Sequence, residues 1–201
     1  MQLYKARLES FNFENLPLII DVVEHMWCPP VGNDEFKRFD VEYIIRNNLS
    51  ENDYNFQLVE NGKKNKILAA AFFARKGDYS IVEEWFSRES LRFPEEWRRA
   101  CGMSKTYLTL MDERTLALMN DEDIKLSFFA SRKPGAGSVI LDMALEKLRS
   151  EGWKNLYLWT DCDCNWQWYI KHGFTLVQED TYEPFSDEHQ DYKTWIFKRK
   201  I

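Results

Sequence analysis

The sequence predicts an α/β domain, and three observations carry that prediction. From Ile124 to Trp159 the chain reads strand, glycine turn, amphipathic helix and apolar strand. Between Tyr54 and Ala74 two apolar runs flank Asn61-Gly62, the signature of a hairpin. Helical periodicity elsewhere alternates with short β-type runs, the pattern of a sheet covered by helices.

Taken in order, Gln2 to Leu8 alternates polar and apolar and reads as a first strand. Leu16 to Met26 carries Leu16, Leu18, Ile19, Ile20, Val22, Val23 and Met26, a buried helix stopped before Pro29-Pro30. Val31 to Phe39 reads as a loop through Gly32-Asn33-Asp34. Val41 to Leu49 reads as a second helix with Asp40 as N-cap. The hairpin follows, Tyr54–Glu60 and Ile67–Ala74, and its basic tip Lys63-Lys64-Asn65-Lys66 reads as a solvated turn. Ile81–Arg88 and Pro94–Ala100 have helical periodicity; Tyr107–Met119 is read as a helix too, although its pattern is less regular. Ile124–Ala130 is a strand. The helix at 138–150 buries Val139, Ile140, Met143, Ala144 and Leu148 and stops at Gly152. Leu156–Trp159 is an apolar strand of a sheet covered on both faces. Phe174–Glu179 and Tyr192–Lys198 are the last strands, antiparallel neighbours across the acidic loop Tyr182–Asp191.

The 201 residues fit one domain, 1–201, carrying an insertion at about 77–123. With 44% hydrophobic residues and eight Trp the chain can bury a core, which argues against disorder. No apolar run reaches the length of a membrane span, and the N-terminus lacks the apolar core of a signal peptide. A cytoplasmic protein with no membrane partner is expected. The net charge of −6 argues against nucleic acid as a partner. Cys162-Asp-Cys164 could offer two metal ligands, yet none of the three His lies at zinc-finger spacing from them, so no metal site is expected.

The densest signal is Arg132-Lys133-Pro134-Gly135-Ala136-Gly137, followed at once by the helix that Ser138 opens. A first helical turn has unpaired N–H donors and a partial positive charge. Glycines let an anion approach the backbone, and Arg132 and Lys133 add full charge, so the turn suits a pyrophosphate. It matches neither G-x-G-x-x-G nor the G-x-x-x-x-G-K-[ST] loop. What remains is R-x-x-G-x-G, with Asn165-Trp-Gln-Trp168-Tyr169-Ile-Lys-His-Gly173-Phe174 further along.

These two motifs, in this order, resemble the GNAT superfamily of acyl-CoA-dependent N-acetyltransferases. The turn is similar to its acyl-CoA pyrophosphate loop. The second run is similar to its N-x-x-[AF]-Y-x-x-x-G-F helix, with Trp168 departing from the usual residue. The likeness is close in the C-terminal part, loose in the N-terminal part and absent from the middle. It implies a mixed, mostly antiparallel central sheet with helices on both faces, and a helical insertion between the third and fourth core strands. It implies acetyl-CoA as cosubstrate, bound by Arg132, Lys133, Gly135, Ala136, Gly137 and Ser138 and by main-chain groups of Phe128 and Ala130 where the strands 124–130 and 155–160 splay apart. Asn165 would face the CoA arm, and Tyr169 would lie near its sulfur as the catalytic acid. The acceptor would be a small-molecule or peptide amine, and the assembly could be a homodimer.

The general base stays open at this stage among three pairs: Glu122 and Asp123, Glu83 and Glu84, Asp161 and Asp163, or a water relay. The insertion, with Trp85 and Trp97, is expected to wall the acceptor pocket. A non-catalytic acyl-CoA sensor on the same fold is the alternative, and a hydrolase using Cys162 or Cys164 with His172 is a third reading.

Overall fold

The structure is a computed structural model that describes residues 5–62, 66–80 and 82–201. Part of the expected first strand, the tip residues 63–65 and Ile81 lie outside the described residues. Among the described residues the chain forms six α-helices and seven strands. In chain order they are β1 (Ala6–Ser10), α1 (Leu16–Trp27), α2 (Asp34–Asn47), β2 (Asn55–Glu60), β3 (Ile67–Arg75), α3 (Val82–Glu89) and α4 (Glu95–Leu118). There follow β4 (Asp123–Ser131), α5 (Ala136–Ser150), β5 (Asn155–Asp161), α6 (Trp166–Lys171), β6 (Thr175–Thr181) and β7 (Lys193–Lys200).

The strands form one seven-stranded sheet in the order β1-β2-β3-β4-β5-β7-β6. Only β4 and β5 are parallel; every other neighbouring pair is antiparallel. The fold class read from the sequence is therefore the one observed, down to the helical insertion between β3 and β4.

Alternation along β3 shows how the sheet is covered. Ala69, Ala71 and Phe73 face α5, whose Ile140, Leu141, Ala144, Leu145 and Leu148 complete that core with Leu156 and Leu158. Ala70 and Phe72 face the other way, onto Ile19, Ile20 and Val23 of α1 and Val41 and Ile45 of α2. On this second side α4 covers β5 and β7 through Tyr107 and Met111 against Tyr157 and Ile196. Lys125, buried on β4, pairs with Asp112 of α4 at 2.5 Å, and Trp159 Nε1 donates to the same Asp112 oxygen at 2.7 Å. One carboxylate thus pins the inserted helix across both parallel strands.

Two local readings are corrected. The second helix starts at Asp34, not Val41, because Asn33 is its cap: the Asn33 side chain accepts from the Phe36 N–H at 2.9 Å. Asp40 is then no cap but a buried residue inside α2. The insertion holds α3 and a single continuous helix from Glu95 to Leu118, where separate helical pieces were read.

Candidate active site

β4 and β5 stay paired for only three positions, Asp123↔Asn155, Ile124↔Leu156 and Lys125↔Tyr157. Beyond Lys125 they diverge, although β4 runs on to Ser131 and β5 to Asp161. A bulge helps to part them: Phe72 lies opposite Phe128 and Phe73 opposite Leu126, so Ser127 is the extra residue. The opening leads into a cavity of about 1040 Å³ that reaches from the glycine turn, past both strands, to α2, α4, the end of α1 at Met26 and Trp27, and the loop that follows it.

The direction of the β4 backbone follows from its register. Arg132 N–H donates to the Leu68 carbonyl at 2.8 Å. In an antiparallel ladder alternate residues direct both main-chain groups to the same neighbour. Ala130 and Phe128 therefore turn their main-chain groups toward β3, opposite Ala70 and Phe72. Those of Phe129 and Ser131 point into the opening. The expectation that Phe128 and Ala130 offer main-chain groups to a ligand is corrected to their neighbours; Phe128 still lines the cavity with its ring.

At the turn, Gly135 has φ 83° and caps α5 in the left-handed conformation that glycine tolerates. The Ala136 N–H is taken by the Lys133 carbonyl and the Val139 N–H by the Gly135 carbonyl. The N–H groups of Gly137 and Ser138 lie in the first turn of α5, where helical N–H groups have no intrahelical carbonyl to bond. Ala136 itself packs into the α5 core and does not line the cavity, which sets it apart from the other predicted turn residues. A Cβ on Gly137 would come within 3.2 Å of the Phe129 ring. Arg132, Lys133, Gly135, Gly137 and Ser138 all line the cavity.

α6 closes one side. Asn165 is its N-cap residue and lies on the cavity together with Trp168 and Tyr169. Tyr169 packs its ring on Trp168 and Phe174, and its hydroxyl has no partner among the described residues. Burial, and secondarily the nearby Cys164 and Asp161, pushes the phenol well above its ordinary pKa, which keeps it protonated. Trp168 stacks on His172 at 3.6 Å and lies 5.3 Å from Phe129. The large ring that departs from the family motif thus bridges α6 to β4. His172 Nδ1 faces the Trp168 carbonyl at 2.7 Å, and Nε2 lies 2.9 Å from Ser138 Oγ. In the neutral ring Nδ1 donates and Nε2 accepts from the hydroxyl, so His172 is a tie between α6 and α5.

Among the carboxylates read as candidate bases, only Asp161 and Asp163 line the cavity. Asp123 is spent at the closed end of the two strands, accepting from Asn120 N–H at 3.0 Å and Asn155 Nδ2 at 2.5 Å. Glu83 pairs with Lys105 on the surface. Asp161 is buried, accepts from Tyr107 Oη at 2.9 Å and from the Asp163 N–H at 3.2 Å, and has its pKa raised by burial. The thiols are poorly placed for nucleophilic work. Burial raises Cys162 and pushes Cys164 up to about 12, and His172 is engaged elsewhere.

Trp85 and Trp97 do not line this cavity. Trp85 stacks on Phe39 and Trp97 packs on Phe36, between α2 and the insertion. The insertion reaches the cavity through Ala100, Met103, Ser104, Tyr107 and Leu108 instead. Among the described residues no group of three or more His, Cys, Asp or Glu could hold a metal ion, and no helix is long and apolar enough to cross a membrane.

This architecture is that of the GNAT fold. A GCN5-related N-acetyltransferase from Kribbella flavida superposes with a TM-score of 0.55 at 9% identity, covering 98% of this chain and 98% of that one. Arylalkylamine N-acetyltransferase 2 from Aedes aegypti gives 0.55 at 13% identity, over 98% and 99%. The C-terminal condensation domain of Ebony, in complex with beta-alanyl-dopamine, gives 0.58 at 10% identity, over 99% and 100%. No family model and no curated protein matches the sequence.

Proposed function

We propose that this chain is an acyl-CoA-dependent N-acyltransferase that moves an acetyl group from acetyl-CoA to a primary amine by direct attack. One observation carries the reading: the anion-binding turn, the opening between β4 and β5, and the Asn165–Tyr169 face all border a single cavity. The fold shared with solved N-acetyltransferases supports it.

In this reading the N–H groups of Gly137 and Ser138, with Arg132 and Lys133, hold the pyrophosphate. Phe129 and Ser131 direct main-chain groups to the pantetheine arm, and Asn165 borders it on the other side. The acceptor nitrogen bonds to the acyl carbon as the carbon–sulfur bond breaks. Asp161, raised by burial and oriented by Tyr107, takes the proton that the amine loses. Tyr169 gives its proton to the departing thiolate. Cytoplasmic residence and an acceptor that is a small molecule or peptide belong to the same reading.

The test is release of free CoA thiol from acetyl-CoA in the presence of an amine panel. Amine-dependent release supports the transferase. Tight acetyl-CoA binding with no release across the panel would instead favour a non-catalytic acyl-CoA sensor.

A further inference from the structure

The large cavity is electrically divided. Among the described residues its lining cations, Arg132 and Lys133, stand at the glycine turn, whereas its lining carboxylates are Asp40, Asp161 and Asp163. The reaction accounts for Asp161 but leaves Asp40 without a role. Asp40 is 1% exposed, and among the described residues its one side-chain hydrogen-bond donor is the thiol of Cys101. None of the ion pairs among the described residues includes it. A buried carboxylate without a cation costs the fold free energy. A second group on the same helix is also unfinished. Asn48 is 5% exposed; its Nδ2 donates to the Ile44 carbonyl at 2.8 Å, and its buried Oδ1 has no partner among the described residues. Asp40, Ile44 and Asn48 follow at four-residue intervals, share one face of α2 and together line the cavity. Asp40 thus brings to this wall a carboxylate that no described residue pairs with a cation, which suits a cationic N–H group.

The inserted helix sets the spacing. Cys101, bonded to Asp40, and Tyr107, bonded to Asp161, both lie on α4. Their separation along it corresponds to about 9 Å of helical rise. Ile44, Leu108 and Trp159 pack together beside these carboxylates and line the same space, giving an apolar track.

We propose that the acceptor is a dicationic amine, one nitrogen presented to Asp161 for acylation and the second, still charged, held by Asp40, with the alkyl chain along Ile44, Leu108 and Trp159. This rests on the transferase reading for the role of Asp161. The partly neutralised state of Asp40, raised to about 6 by burial, fits a group that becomes fully ionised when a cation arrives.

The probe pair is hexamethylenediamine and n-hexylamine, the same chain with and without the second cation. The wild-type enzyme should acetylate the diamine at least about tenfold more efficiently in kcat/KM, through a lower KM. Asp40→Asn should collapse that ratio toward unity, and Asp40→Glu should keep most of it. The melting temperatures of both variants establish that they are folded. No preference for the diamine in the wild type, or an unchanged ratio in Asp40→Asn, would overturn the proposal. Calorimetry separates this failure from failure of the transferase reading. Diamine binding at least about tenfold weaker in Asp40→Asn sustains the acceptor site even if neither amine is acetylated. Equal binding, or no binding to the wild type, overturns it.

Discussion

Tyr107 on the inserted helix donates its phenolic hydrogen to Asp161 at the open end of β5, at 2.9 Å, and both groups are buried. This bond joins the inserted helix to the carboxylate that the proposed reaction uses as its base. Tyr107→Phe keeps the ring among Trp159, Tyr182, Phe185 and Tyr192 and removes only the donor. The carboxylate left behind costs about 1–3 kcal/mol in stability, read from urea denaturation. The Tyr107 bond lowers the Asp161 pKa, so its loss raises it further. The acid limb of the kcat/KM profile should therefore move to higher pH. An unmoved limb would remove Asp161 from proton transfer.

The glycine turn predicts a separation of donor binding from folding. Arg132 is exposed, so Arg132→Ala should leave the melting temperature unchanged and weaken CoA binding several-fold in calorimetry, more at low salt than at high. Gly137→Ala brings a methyl group against Phe129 and Ser131 at the turn, and should weaken CoA by roughly 1.5–3 kcal/mol. Wild-type affinity in both folded variants would move the anion site elsewhere.

Tyr169→Phe preserves the packing on Trp168 and Phe174 and deletes a hydroxyl that no described residue uses. Stability should therefore be unchanged, donor affinity nearly so, and kcat lower by about 10²-fold or more under conditions where chemistry limits the rate. Full kcat would show that another group protonates the thiolate.

The sheet, α5 and the site motifs were legible because their signals are local. Periodicity marked the strands, and the glycine turn with Asn165 and Tyr169 stood at recognisable spacing. The start of α2 was not legible. Asp34, Glu35, Lys37 and Arg38 give it a loop-like surface, and Phe36 and Phe39 pack against Phe93, Trp85 and Trp97 of the insertion, elements without a familiar pattern. Asp40 looked like a cap for the same reason. Its partner Cys101 lies 61 residues away, and only the tertiary fold brings them together. The β4 main-chain contacts were read one residue out because a strand's hydrogen-bond phase depends on its neighbour's register and leaves no mark in sequence.

Asp40 also makes a pH-dependent prediction about stability. Burial raises its folded-state pKa from 3.8 to about 6; the ionisable groups facing it are Cys101 on α4 and Tyr43 on its own helix, both pushed higher by burial. Below about pH 3 the carboxyl is largely protonated in both states and contributes little. As pH rises toward 6 the unfolded chain gives up the proton more readily, so folding stability falls, and the full penalty is present above 6. The gap corresponds to about 3 kcal/mol. Asp40→Asn should therefore be more stable than wild type in urea at about pH 7, by up to that amount, and nearly equal at about pH 3. A variant less stable at about pH 7 would mean that the charge supports the fold.

The central claim is direct acetyl transfer to nitrogen. Its most direct measurement follows isotopically labelled acetyl-CoA with hexamethylenediamine, reading small-molecule products and intact protein mass in the same reaction. One N-acetylated amine should form for each CoA released, with no acetyl group left on the protein. Label found as free acetate or on a protein side chain, or no CoA release at all with the donor bound, would contradict it.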